Sequence, residues 1–226
     1  MSCLVGIFLR VLTPNPSSTS PLTHWRGFVF VENSWGMDIK KIYLHWSATP
    51  YTWKELGHYH TVVTGDGQVH RLTDYHTPLY AHTYARNQDA IAISLACMGN
   101  GGFRDYPPTE AQIDSMCKEC AKVAIGLGWP ADATKLKKLI MTHAECAANR
   151  DYPLETVMEA QGKGEAYACS IGLPHDNYGP SSWSDGWPGG NVERWDLWQL
   201  RPSDKGGAGG FELRDRIVAW MKKLHP

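Results

Sequence analysis

Short apolar runs and one long helical pattern interleave along the chain. Lys41–His45 (KIYLH) predicts a strand that ends in a histidine. Trp53–His58 predicts a helical turn, and Tyr59–Thr64 (YHTVVT) a strand. Gly65-Asp66-Gly67 is a tight-turn signal, so Gln68–Leu72 is expected to return as the second strand of a hairpin. Ile91–Cys97 (IAISLAC) is almost continuously apolar, as a central strand buried on both faces should be. Apolar positions at Ile113, Met116, Cys117, Cys120, Ala121, Ala124 and Leu127 then follow a helical period. Thr109 followed by Gln112 supplies that helix with a capping-box start. Lys138–Met141 leads into His143, and Phe211–Leu224 predicts a last amphipathic helix with Leu213, Ile217, Trp220, Met221 and Leu224 on one face. Interleaved strands and helices point to an α/β (α+β) class: a single domain with a central mixed β-sheet flanked by helices.

Two stretches break this economy. Residues 144–192 show little periodicity and are rich in glycine, proline and tryptophan. Trp183, Trp187 and Tyr178 argue against disorder, which is normally poor in aromatics, so we expect a long ordered loop insertion that shapes a site. At the other end, residues 1–38 are expected to form an N-terminal arm or strand extension ahead of a domain at 39–226. MSCLVGIFLRVLTP is apolar but carries Arg10 in its middle and lacks a basic start, so no clear signal peptide is read. Pro14 to Pro21 reads as a linker. The arm would either dock the protein onto a larger assembly or cover the sheet.

Composition narrows the function classes. Lys and Arg total 22 against 23 Asp and Glu, so no global field attracts nucleic acid, and no nucleic-acid partner is expected. No apolar run reaches the roughly 18 residues of a membrane span, so no transmembrane segment is expected. Cys117 and Cys120 form a C-x-x-C, but it lies within the helical pattern and has no second pair to complete a four-cysteine zinc site. Small core residues are the expected reading, and a redox or structural-zinc protein the rival one.

Three positions put a metal-competent side chain where strand ends are expected. His45 closes KIYLH, His143 closes LIMTH, and Asp196 sits in ERWDLWQL. Two histidines and a carboxylate are a common catalytic zinc set with one position left open. Their wide spacing is permissible, because zinc needs ligands that converge in space, but it is also uninformative.

The setting of these residues says more. The blocks YLHWSATP, YHTVVTGDGQVHRL, AHTYARNQDAIAISLACMG, MTHAE and ERWDLW, in this order between about residues 40 and 200, resemble the type 2 N-acetylmuramoyl-L-alanine amidase family. That family includes phage amidase lysozymes, bacterial wall-recycling amidases and animal peptidoglycan recognition proteins. The resemblance implies a zinc-dependent hydrolase that cleaves the amide between the lactyl group of N-acetylmuramic acid and L-alanine in peptidoglycan. It places His45, His143 and Asp196 as the metal ligands for Zn2+. Tyr59 falls where some members carry a catalytic tyrosine, and Arg194 where many carry a catalytic lysine. His82 falls in a block that lines the substrate cleft, although a surface histidine is equally open; for Tyr59 the lesser alternative is an ordinary strand aromatic. Ser94 stands where recycling amidases have a glutamate, which shifts weight from a glutamate base to Tyr59 and the metal-bound water. Arg194 keeps a permanent charge in place of lysine, so it can stabilise an oxyanion but not donate a proton.

The resemblance implies a protein made in the cytoplasm that acts on the cell wall, as an endolysin, as a tail- or wall-associated lysin, or within a phage-like particle. A non-catalytic peptidoglycan-binding module of the same fold is the alternative, and a competent Asp196 weighs against it. Glu145 is expected to be a solvated carboxylate, with a supporting partner of His143 as the alternative, and Cys146, near His143, a weaker ligand candidate than Asp196. His58, His60, His70 and His76 receive no metal role, and strand alternation would set His58 and His60 opposite Tyr59.

Overall fold

The structure is a computed structural model and describes residues 37–83, 86–171, 173 and 196–226. These fall in one compact unit that spans Ser34–Pro226. The arm and linker expected before residue 37, Arg194, Trp183, Trp187 and Tyr178 lie outside the described residues.

Among the described residues, five strands form one mixed sheet. They are β1 (Lys41–Trp46), β2 (Thr61–Val63), β3 (Val69–Arg71), β4 (Ala90–Leu95) and β5 (Ile140–Thr142). The spatial order is β3-β2-β4-β1-β5. β1 pairs in parallel with both β4 and β5, β2 pairs in parallel with β4, and only the β2–β3 hairpin is antiparallel. The expected mixed α/β architecture is therefore present.

Alternation along β1 divides its side chains between two layers. Ile42, Leu44 and Trp46 join Ile91, Ile93 and Leu95 of β4 in the main core. That core is closed by α1 (Glu110–Gly126), through Ile113, Met116, Cys117 and Cys120, and by α6 (Gly209–Leu224), through Leu213, Ile217 and Met221. Tyr43 faces the other side, where it packs with Ala90, Met141 and Cys146. His45 shares that second face, at the carboxyl end of β1 and in register with Ser94 of β4. Ligand sites of open parallel sheets lie beyond the carboxyl ends of the strands, which is where β1 and β5 both deliver histidines here.

The capping box of α1 forms as the sequence predicts: the Thr109 hydroxyl accepts from the Gln112 N–H, and the Gln112 side chain accepts from the Thr109 N–H. Cys117 and Cys120 are fully buried in this helix. Burial pushes the Cys117 thiol up to about 12 and that of Cys120 well above its ordinary value. Thiolates are the reactive species, so iodoacetamide at pH 8 followed by peptide mass mapping should leave both unlabelled in native protein and label both in denaturant. Labelling of the native pair would restore the redox or zinc reading.

Three sequence expectations are corrected. Residues 53–58 form no helical turn: Gly57 sits at φ 120°, outside helical space, and Leu56 is 70% exposed. Tyr59 lies outside the ladder, because β2 begins only at Thr61. The expected opposition of Tyr59 to His58 and His60 therefore fails. His58 is exposed, whereas His60 is buried, accepts from the Ala92 N–H at Nδ1 and donates from Nε2 to the Thr77 carbonyl. The stretch after residue 143 is not simply loop. It holds α3 (His143–Ala147), α4 (Leu154–Lys163) and α5 (Glu165–Ser170). The last two bury Val157, Ala160 and Ala168 with Leu173 in a small satellite core. A further short helix missed in the sequence, α2 (Ala133–Leu136), starts on an Asp132 cap. No helix among the described residues is long and apolar enough to cross a membrane.

Candidate metal centre

His45, His143 and Asp196 come together, all buried, with one ligand atom of each within 4.8 Å of the others. They arrive by three routes. His45 is the penultimate residue of β1, whose neighbours Leu44 and Trp46 are locked in the main core. His143 is the first residue of α3, directly after β5. Asp196 sits in a turn whose next residue, Leu197, adopts φ 62°. The left-handed region is uncommon for a non-glycine side chain. That conformation holds Leu197 fully buried in the core while Asp196 meets the histidines. The Ala144 N–H also donates to the Asp196 carbonyl at 3.3 Å, tying the third segment to the first turn of α3.

The start of α3 is built from charged groups. Thr142 and Glu145 form a capping box. The Glu145 carboxylate accepts from the Thr142 N–H at 3.0 Å and takes a two-pronged ion pair from Arg214 of α6, at 2.7 and 2.8 Å. Arg214 also donates to the Ile140 carbonyl of β5 at 3.1 Å. Both side chains are only 2% exposed. The solvated carboxylate expected for Glu145 is thus a buried, paired one. Gly210 makes this possible, since a Cβ there would collide with the Glu145 carboxyl group.

His45 Nδ1 and His143 Nδ1 each lie 3.3 Å from the same oxygen, Asp196 Oδ2. Charge-assisted N–H···O bonds are usually about 2.7–2.9 Å long. By contrast, nitrogen and oxygen atoms bonded to one tetrahedral zinc at about 2.0–2.1 Å stand about 3.3 Å apart. The spacing therefore fits a shared cation. Protonation fits as well. Burial lowers the pKa of His45 to about 4, against the opposing hydrogen bond to Asp196. Burial alone would raise that of Asp196, but the charge of His143 and hydrogen bonds from both histidines hold it below the ordinary carboxylate value. For His45 and Asp196 these shifts favour the neutral imidazole and the ionised carboxylate that a metal requires; a bound cation would take the place of the His143 charge beside Asp196.

Around this cluster, the Tyr59 ring lies 5.2 Å from that of His45 and the His82 ring 5.7 Å from it. Tyr59 is mostly buried, and burial, helped by Asp196, raises its phenol pKa well above the ordinary value against a hydrogen bond to Ser94. His82 is only 7% exposed and not a surface residue, and burial lowers its pKa to about 2. Cys146 is absent from the cluster and packs under Tyr43. Thr83 and Arg214 were missed in the sequence. The only signal for Thr83 was its place in the AHTYARN block, and Arg214 carried none.

A family model described as N-acetylmuramoyl-L-alanine amidase matches residues 35–155, more than half of the chain. His45, Tyr59, His82 and His143 fall inside that span and Asp196 outside it. No curated protein sequence matches the chain. Among solved structures, AmpDh3 from Pseudomonas aeruginosa is 16% identical over 91% of this chain and 99% of that one, with a TM-score of 0.42. The Ph2119 endolysin from Thermus scotoductus MAT2119 bacteriophage Ph2119 is 13% identical over 49% of this chain and 74% of that one, at 0.37. Peptidoglycan recognition protein LE, in complex with tracheal cytotoxin, is 17% identical over 49% and 71%, at 0.35. On the match of the family model, the chain belongs to the N-acetylmuramoyl-L-alanine amidase family.

Proposed function

We propose that this protein is a zinc-dependent amidase that hydrolyses the bond between the lactyl group of N-acetylmuramic acid and L-alanine in peptidoglycan, acting on the wall as a lysin. The observation that carries the proposal is the pair of buried imidazole nitrogens, each 3.3 Å from the same Asp196 oxygen. His45, His143 and Asp196 would hold the ion, leaving the open fourth position typical of catalytic zinc. When bound, zinc supplies a Lewis acid and makes water nucleophilic at neutral pH.

The chain's own groups do the rest. Tyr59, protonated throughout the neutral range, serves as a hydrogen-bond donor beside the cluster and orients the reacting carbonyl or water, not as a base. Arg194, two residues before Asp196 in the sequence, provides a fixed positive charge for the carbonyl oxygen as negative charge develops on it. His82 contributes to substrate binding: its Nε2 is buried and has no partner among the described residues. Water adds across the amide, its oxygen going to the lactyl carbon and a proton to the departing alanine nitrogen.

Mass spectrometry of peptidoglycan digested with and without a chelator tests this. Peptides with a free L-alanine amine should appear only without chelator, and return when zinc is restored. Reducing sugars in place of free peptides would overturn the reaction assignment. Binding without any release would favour a non-catalytic module.

A further inference from the structure

The hydroxyl of Thr83 sits between two imidazoles. It is 3.3 Å from His45 Nε2, at the long end of the hydrogen-bond range, and 2.9 Å from His82 Nδ1. Thr83 is 1% exposed and His45 not exposed at all, so water does not compete for these contacts. The segment is pinned from behind: Asn87 Oδ1 accepts both the His82 N–H at 3.1 Å and the Thr83 N–H at 2.7 Å, and Asn87 Nδ2 donates to the Tyr80 carbonyl at 3.0 Å.

The direction of each bond follows from its neighbours. Nδ1 of His45 is the nitrogen turned towards Asp196, at 3.3 Å. An imidazole that ligates through a bare Nδ1 carries its hydrogen on Nε2. Among the described residues, Thr83 is the only hydrogen-bond partner of that Nε2. The hydroxyl therefore accepts from His45 and spends its own hydrogen on His82 Nδ1. His82 is then left with its hydrogen on Nε2.

We infer that Thr83 is a positioning residue of the metal centre, whose hydroxyl selects the ligating nitrogen of His45 and fixes its ring, and through the same hydroxyl sets the tautomer of His82. The inference rests on the reading of His45 as a zinc ligand. It is a distinct claim, because neither a packing role for Thr83 nor the ligand set itself requires the hydroxyl.

Zinc titration of the full chain against a chromophoric chelator separates the possibilities, using wild type, Thr83→Val, Thr83→Ser and His45→Ala. Loss of a partner that orients a metal-bound histidine typically costs 10–100-fold in metal affinity. Thr83→Val, which replaces the hydroxyl by a methyl group, should bind zinc about 10–100-fold more weakly. Thr83→Ser, which keeps the hydroxyl and loses the methyl group, should bind close to wild type. Of the Thr83→Val and Thr83→Ser variants, only the valine one should change the cobalt(II) spectrum. If Thr83→Val melts early in chelator, Thr83→Ala compared with Thr83→Ser gives the same contrast. Equal weakening in valine and serine variants would assign Thr83 to packing and overturn the inference, as would wild-type affinity in Thr83→Val. Stoichiometric zinc in His45→Ala would instead overturn the ligand reading itself.

Discussion

Replacing Asp196 with alanine is expected to reduce bound zinc from one ion per chain to none, and with it the release of L-alanyl peptides from peptidoglycan. Asp196 supplies the one carboxylate of the buried cluster, and both imidazoles converge on its Oδ2. Two neutral histidines without it lack the negative charge that offsets a buried divalent cation. Peptide release should fall by at least about a thousandfold, equivalent to about 4 kcal/mol of transition-state stabilisation. Asp196→Cys is the informative companion, since a thiolate is also a competent zinc ligand and should retain the metal. Elemental analysis and peptide release, with melting curves in chelator to read the fold separately, check the prediction. Wild-type zinc content in Asp196→Ala would remove it from the ligand set.

The second large effect is on stability. Arg214→Met leaves the Glu145 carboxylate, 2% exposed, without its ion-pair partner. Breaking a buried pair from one side typically costs about 3–5 kcal/mol. For a domain of this size each kcal/mol lowers Tm by about 2–4 °C, so a fall of roughly 6–20 °C is expected. The double variant Glu145→Met/Arg214→Met should recover much of that loss, because apolar replacement of a buried pair is often nearly neutral. Zinc affinity in the double variant should nevertheless stay below wild type. Glu145 also accepts the Thr142 N–H at the start of the helix that carries His143, and methionine cannot. Thermal melts of the three variants with zinc titrations decide the matter. A Tm of Arg214→Met within 2 °C of wild type would show that the pair is not uncompensated when broken.

Legibility in the sequence followed the range of the interactions. β4 could be read from its apolar run, and α1 from its period and its Thr109–Gln112 cap, because both signals lie within a few residues of one another. The turn at 53–58 failed because its one large aliphatic side chain, Leu56, finds nothing to cover it. α4 escaped notice because, among the described residues, it buries only Val157 and Ala160, against a small local core. Glu145 looked like any surface carboxylate near a histidine. Its partner, Arg214, is 69 residues away, on a helix whose apolar face gives no sign of a buried cation. Thr83 lies 38 residues from the His45 nitrogen it meets.

By itself the sequence determined which residue types are offered and in what order: a histidine closing the first strand, a histidine after the last, and an aspartate beyond a long irregular stretch. Five ordered blocks were enough to point to the amidase family. Only the tertiary structure decided that these side chains meet. His45 and Asp196 are 151 residues apart in the chain, and His143 and Asp196 are 53 apart. Their convergence depends on β1 lying between β4 and β5 in parallel register, on the Glu145–Arg214 pair that seats α3, and on the left-handed turn at Leu197. Periodicity records how a residue stands towards neighbours one or two turns away. Ligation depends on distances in space set by strand register and by buried pairings between remote segments, and local pattern does not carry that information.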